Sequence, residues 1–436
     1  MKKKKSIVVV GGGAGGLGLV RRLGSTLPKG SYDVTLVDKN LTHVWKPLLH
    51  EVAAGTLDAN MDEVGYGGHG VKWGYRFFCG ELEKVDRKRQ VISIAPKVDE
   101  RGNEIIARHE IAYDYLVLAF GGVSNTYHIP GVDDRALFLE NRNNADTFRL
   151  RLLNACMRVS HQVEQGDTNE KVKVTIVGGG ATGVELAAEL YNAAAALKHY
   201  GLQGFDESWV KVTLLEAGPR ILPALPEKIA DAAKKDLEAL GVSVLTNKVV
   251  SSIEDKLVNT TDAKVIASDL TLWAAGVKAP AVVKELGDFE LDRLDRILVK
   301  DTLQTTIDDR IYAIGDCASF TPDGADRPLH PRAQAAQQMA VAVRKNIMAA
   351  VRGRKQKPFV YNDRGSLVSL GRYSAFGNLM GNLVGDAMAI EGRLARIAYA
   401  SLYRMHIISI HGWLRGVTMI LLGHVNQIIR PKVKLH

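Results

Sequence analysis

The sequence predicts an α/β protein with two Rossmann-like dinucleotide-binding domains followed by a C-terminal amphipathic helical region, and three observations carry that reading. A glycine-rich turn between a β-branched strand and a helical stretch occurs twice, in residues 7–16 and 174–183. An acid closes the next strand of each copy: Asp38 after Val34-Thr35-Leu36-Val37, and Glu216 after Val212-Thr213-Leu214-Leu215. Residues 392–436 hold five Arg and two Lys among many apolar side chains, with no Asp or Glu.

The elements follow in order. In the first copy, Gly11, Gly13 and Gly16 let backbone approach a pyrophosphate, and the N–H groups of the following helix face that anion. Asp38, with Lys39 beside it, stands where an acid accepts the hydroxyls of an adenosine ribose. A strand over 113–119 then runs into Gly121-Gly122. The second copy repeats the programme with Gly178, Gly180, Gly183 and Glu216, and its strand over 270–276 ends in Gly276. A later apolar strand, 310–314, carries Gly315-Asp316 at its carboxyl edge, where α/β sheets bind ligands. Assigning that strand to the first sheet makes the middle domain an insertion. The expected organisation is 1–165 as the first part of one domain, 166–290 inserted, 291–350 as the return segment, and 351–436 as a separate C-terminal region.

Composition narrows the chemistry. A chain of 436 residues exceeds what one core usually serves, and 46% hydrophobic with 24% charged residues is ordinary for a soluble protein. The net charge of +9 concentrates at the two ends, in Lys2 to Lys5 and in the tail. Cys79, Cys156 and Cys317 stand apart with no CxxC, so neither a disulfide scaffold nor a zinc site is expected, and a reducing compartment fits. The four apolar residues before the first glycines make a strand rather than a signal peptide. No stretch of about 18 uncharged apolar residues exists, so no spanning helix is expected.

Together these residues resemble the two-dinucleotide-binding-domain flavoproteins, the fold of glutathione reductase. That resemblance implies FAD in the first cradle, NADH in the second, and the flavin ribityl chain at Gly315-Asp316. Disulfide reductase chemistry lacks its neighbouring sulfurs here. Two further segments are similar to type II NADH:quinone oxidoreductases: Ala333-Gln334-Ala335-Ala336-Gln337-Gln338 to their AQxAxQ motif, and Lys46-Pro47-Leu48-Leu49-His50-Glu51-Val52-Ala53-Ala54-Gly55 to a flavin-adjacent loop. The resemblance implies hydride transfer from NADH to FAD, then two electrons to a membrane quinone, without proton pumping. It assigns Gln334 and Gln338, on one helix face, to the quinone, and Glu185 to the neighbourhood of the nicotinamide and flavin rings. Pro47, Gly55, Leu82 (through its backbone), Gly121 and Gly276 join the cofactor residues. Phe120, and Ala274-Ala275 before Gly276, depart from the usual family wording. Competing readings are a sulfide:quinone oxidoreductase using Cys156 and Cys317, a soluble NADH:ferredoxin-type reductase, and a redox-dependent membrane-binding module.

At 100° per residue, Arg393, Arg404, His411 and Arg415 form one stripe with Arg396 on its flank. Leu394, Ile397, Leu402, Met405, Ile408, Trp413, Leu414, Met419, Ile420 and Leu421 fill much of the rest. Such a segment suits an anionic lipid surface, or packing on its own domain or on a second copy in a homodimer. Gly412 and Gly416 are candidate break points. Basic residues interleaved with an apolar stripe do not suit nucleic acid. The expected location is peripheral, on the cytoplasmic face of a bacterial inner membrane.

Overall fold

The computed structural model describes all residues except 1–3, 29, 58–62, 168–169, 198–204, 372–374, 382–383 and 430–436. The principal elements are β1 (Lys5–Val10), α1 (Gly16–Thr26), β2 (Tyr32–Asp38), α2 (Leu49–Ala54), β3 (Arg76–Cys79), β4 (Tyr115–Leu118), α3 (Arg142–Glu164), β5 (Val172–Val177), α4 (Ala181–Leu197), β6 (Val210–Leu215), β7 (Ser243–Leu245) and β8 (Leu270–Trp273). They continue with β9 (Ile311–Ala313), α5 (Ala333–Val351), β10 (Ser366–Ser369), β11 (Ala375–Gly381), β12 (Val384–Glu391), α6 (Gly392–His411) and α7 (Trp413–Ile429).

The chain forms two compact units, each built from three chain segments. The first comprises residues 1–45, 62–123 and 277–362. Its five-stranded sheet has the order β9-β4-β1-β2-β3, and every pair of neighbours is parallel. Ile7, Val8 and Val9 are wholly buried, as a parallel strand covered on both faces requires. Strand β9 pairs with β4 at Leu116 opposite Ile311, so the strand before Gly315-Asp316 does complete the first sheet.

The second unit comprises residues 46–61, 124–276 and 363–436. Its four-stranded parallel sheet, β7-β6-β5-β8, repeats the inner order of the first: the strand before the glycines lies between the strand ending in the acid and the strand of the late glycine. The same unit holds an antiparallel sheet of β10, β11 and β12.

That antiparallel sheet is absent from the sequence reading, and the tail is not one continuous amphipathic helix. Gly412, at φ +81°, separates α6 from α7, so the angular stripe drawn from Arg393 does not reach Arg415. Gly416 lets the two helices approach, since a Cβ there would lie 2.8 Å from the Ile408 Cα. The Arg393 and Arg396 side chains of that stripe lie outside the described residues, as do Leu394, Ile397 and Leu402. Trp413 and Leu414 are over 70% exposed, and Leu421 and Leu422 over 60%. Among the described residues no helix is long and apolar enough to cross a membrane.

Candidate active site

The two glycine cradles share one geometry. In the first, Gly11 takes φ +103°, and a Cβ there would lie 2.3 Å from the Ala119 carbonyl oxygen. A Cβ on Gly16 would lie 1.8 Å from the Gly11 carbonyl oxygen, so this glycine packs helix against strand. A Cβ on Gly13 would meet nothing within 4 Å: the glycine faces open space, the shape a pyrophosphate needs. The second cradle gives Gly178 at φ +114°, Gly183 packed 2.1 Å from the Gly178 oxygen by the same measure, and Gly180 facing open space.

The acids match as well. Gly12 N donates to Asp38 Oδ2 at 2.7 Å, while Asn40 N donates to Oδ1 at 2.8 Å. Gly179 N donates to Glu216 Oε2 at 2.7 Å, and Gly218 N to Oε1 at 2.7 Å. Each carboxylate is thus fixed at the carboxyl end of its strand. These residues fit two dinucleotides, one in each cradle. Arg220 turns its guanidinium to the Leu225 and Pro223 carbonyls, at 2.7 and 3.1 Å. Tyr66 and His43, which the sequence reading missed, hold the first loop through the Gly12 carbonyl, at 2.9 and 2.8 Å. No local motif marks either of them.

Within the first unit, Gly315 (φ +74°) and Asp316 follow β9 and meet the N-terminal end of α5. Asp316, Arg296, His330, Arg332 and Met339 line a small cleft there. Arg296 is ion-paired with Asp292 at 2.7 Å, so the N-terminal end of α5, with Arg332 beside it, supplies the positive end of this cleft. Gln334 and Gln338 are both half-buried on α5, whose opposite side buries Ala336, Met339, Ala340 and Val343. Gln338 spends both amide atoms on one backbone position: its Nε2 donates to the Asn362 carbonyl at 2.8 Å, and Asn362 N donates to its Oε1 at 3.0 Å.

Within the second unit, Glu185 on α4 is a buried carboxyl with several neighbours. Ser369 N donates to its Oε1 at 3.1 Å, and the Tyr399 hydroxyl also hydrogen-bonds it. His50 Nδ1 lies 3.7 Å from Oε2, and His50 Nε2 lies 3.9 Å from Glu51 Oε1. Burial, first, and then the Glu51 and Glu189 charges push the Glu185 pKa up to about 8 against the opposing Ser369 and Tyr399 hydrogen bonds. Burial lowers His50 to about 4. At neutral pH both groups are therefore held uncharged. His50 was legible only as part of the motif 46–55; Tyr399 lay unremarked in the tail.

The remaining predicted residues fall as follows. Lys39 pairs with Glu81 at 3.4 Å on the surface, and Leu82 is buried in a strand with its partner Ile94 opposite. Pro47 lies in a short 3-10 turn before α2, and Gly55 (φ +82°) caps that helix. Gly121 and Gly276 take φ +74° and +71°. Cys156 and Cys317 are both buried thiols pushed up to about 12 by burial, which disfavours the thiolate that sulfide chemistry needs. Among the described residues no cluster of His, Cys, Asp or Glu could hold a metal.

Comparison with known proteins agrees with this architecture. The pyridine nucleotide-disulphide oxidoreductase family model matches residues 5–342. A type II NADH:quinone oxidoreductase of Haemophilus influenzae is 41% identical over 97% of this chain and 98% of its own. A Staphylococcus aureus enzyme of the same name is 31% identical over 86% of this chain and 89% of its own. The structure of NDH2 from Plasmodium falciparum in complex with NADH superimposes with a TM-score of 0.81 at 19% identity, covering 99% and 100% of the two chains. The sulfide:quinone oxidoreductase of Aquifex aeolicus shares the fold at a TM-score of 0.69 and 18% identity, over 94% and 92%. With two matching cradles and a relative alike over nearly its whole length, the chain belongs to the type II NADH:quinone oxidoreductases, within the pyridine nucleotide-disulphide oxidoreductase family.

Proposed function

We propose that this protein oxidises NADH and reduces a membrane quinone through bound FAD, working at a membrane surface without spanning it. The observation that carries the reading is the pair of equivalent cradles, each with an open glycine position and a fixed acid. Bound FAD would supply the hydride acceptor for NADH and the two-electron donor to the quinone. The protein's own tasks are to bind and orient. Gly11, Gly13, Gly16, Asp38 and Asp316 hold the flavin nucleotide, with Lys39, Leu82 and Gly121 beside them. Gly178, Gly180, Gly183, Glu216 and Gly276 hold NADH. Gln334 offers its amide to a quinone carbonyl, while Gln338 shapes that approach by securing the chain at Asn362. Pro47, Gly55 and Glu185 are the further residues assigned to cofactor binding and catalysis, and all three belong to the second unit.

The tail supports a peripheral attachment to anionic lipid on the cytoplasmic face of a bacterial inner membrane. Trp413, Leu414, Leu421 and Leu422 are exposed, and large apolar side chains immersed in a headgroup boundary each contribute roughly 1.5–3 kcal/mol before entropy is deducted. The decisive experiment is anaerobic: NADH added to the purified protein bleaches the visible flavin bands, and a subsequent quinone restores them. Bleaching without recovery by quinone, but with recovery by a small iron–sulfur protein, would favour the soluble reductase reading.

A further inference from the structure

In both cradles the middle of the glycine turn is fixed from outside the fingerprint, and by different means. The Gly12 carbonyl accepts from the Tyr66 hydroxyl at 2.9 Å and from His43 Nδ1 at 2.8 Å, filling both lone pairs of one oxygen. A carbonyl only accepts, so the His43 proton sits on Nδ1. A two-residue antiparallel ladder, Thr42–His43 with Val64–Gly65, joins the segments that carry the two donors. Both side chains are buried, and the Tyr66 ring leaves no room for a Cβ on Gly12, which would lie 2.4 Å from it. In the second cradle the equivalent carbonyl, that of Gly179, accepts from the Leu222 N–H at 2.7 Å. Leu222 takes φ +49°, a left-handed conformation that leucine rarely adopts.

We propose that Tyr66 and His43 are positioning residues for the flavin nucleotide: by holding the Gly12 carbonyl inward they turn the Gly13 N–H outward, as a donor to the pyrophosphate. The physical basis is the planar trans peptide, in which C=O and N–H point in opposite directions. Gly12 is buried and Gly13 is exposed, with no atom within 4 Å of a Cβ built on it. The Gly12 N–H is given to Asp38 at 2.7 Å, so both peptide planes that meet at Gly12 are fixed by the chain itself. Donors already in place cost no ordering when an anion binds. The second cradle makes the same two bonds, from Gly179 N to Glu216 and from Leu222 N to the Gly179 oxygen. Unrelated residues that supply one bond at equivalent positions mark it as part of the anion site rather than an accident of packing. Burial, and then the Asp38 carboxylate and the Tyr75 phenol, raise the Tyr66 hydroxyl well above its ordinary range, so it stays a donor.

The proposal rests on FAD occupying the first cradle, and the experiment separates the two. FAD affinity is measured on the full-length flavin-loaded protein by dilution, from the fluorescence of released flavin, with a melting temperature on each preparation. Tyr66→Phe, which keeps the ring against Gly12, should weaken FAD binding about fivefold, the worth of one net hydrogen bond. His43→Leu should do the same. His43→Asn also removes the imidazole but returns an amide donor near the Nδ1 position, so it should restore most of the affinity. Equal losses in His43→Leu and His43→Asn would assign the effect to packing and overturn the proposal, as would wild-type FAD affinity in Tyr66→Phe. If Tyr66→Phe fails to fold, the His43 pair decides alone. Gly13→Val tests the underlying reading. A full complement of flavin in that variant would remove FAD from this cradle, and the proposal with it; flavin loss there with wild-type affinity in the other variants sinks the positioning role alone.

Discussion

Gly180 and Gly183 lie three residues apart in one fingerprint and should fail in opposite ways. A Cβ at Gly180 meets no atom within 4 Å, and its φ is outside the left-handed region, so Gly180→Val leaves the backbone unstrained. On the proposed assignment, the valine methyls then occupy the space where the NADH pyrophosphate would approach the N–H groups at the start of α4. Two charge-assisted hydrogen bonds lost at about 1.5–3 kcal/mol each amount to roughly 3–6 kcal/mol, or about 100- to 10,000-fold in Kd. A Cβ at Gly183 would instead sit 2.1 Å from the Gly178 carbonyl oxygen, so Gly183→Ala must push α4 off β5 and is expected to destabilise the unit. The assay is anaerobic stopped-flow bleaching of the flavin at increasing NADH, with flavin content and melting temperature measured on the same preparations. Gly180→Val should purify with full flavin and a wild-type melt, yet need far more NADH. Wild-type NADH affinity in that variant, or loss of its flavin, would refute the assignment of the second cradle.

The fixed Glu216 carboxylate repels a 2′-phosphate, and Arg220 is occupied by two carbonyls, so kcat/KM for NADPH should be at least ~10-fold below that for NADH; equality would remove Glu216 from the ribose site. Gln338→Leu removes two backbone bonds to Asn362 worth about 1 kcal/mol each, so exchange of the Asn362 amide should quicken roughly 30-fold. In the same variant oxidation by quinone should slow while flavin reduction by NADH stays normal, and equal loss in both half-reactions would point to a general folding defect. Glu185, raised from 4.5 to about 8, favours the folded state only while both states are protonated; stability is lost as pH rises from about 4.5 to 8. Glu185→Gln should therefore gain up to about 4 kcal/mol relative to wild type at pH 8 and little at pH 4.5, as measured by denaturant unfolding. Replacing Trp413, Leu414, Leu421 and Leu422 by serine should abolish co-sedimentation with anionic liposomes while leaving NADH oxidation by a water-soluble acceptor intact; unchanged sedimentation would move the lipid contact elsewhere.

The cradles were legible because their physics is local. Strand, glycines, helix and acid lie within about 40 residues, and each glycine either answers to a steric demand from near neighbours or leaves an open space. The Gly315-Asp316 pair was legible for a related reason, since the strand before it is apolar and ends at a sheet's ligand edge. The sheet over 366–391 was hidden because glycines at 371, 377, 381 and 385 break the alternation that marks a strand, and pairing rather than propensity makes it. Gly412 was noticed, but a helical wheel drawn through it assumed a continuity that one left-handed residue removes. Nothing in the sequence connects Tyr399 with Glu185, 214 positions earlier, or reveals that Gln338 binds the backbone of Asn362. Those contacts exist only after folding.

The alternation of the chain between its two units has a consequence for synthesis on the ribosome. The nascent polypeptide passes from one unit to the other five times, and β9, the last strand of the first sheet, emerges nearly 200 residues after its neighbour β4. Until then β4 offers an open edge, the arrangement most prone to wrong pairing with other strands. The second sheet is complete once residue 273 has left the tunnel, although its unit still waits for residues 363–436. Chaperone demand should therefore peak while residues 120–310 are being made. Premature termination in that window should yield aggregates, because an unfinished first sheet has nothing to cover its edge.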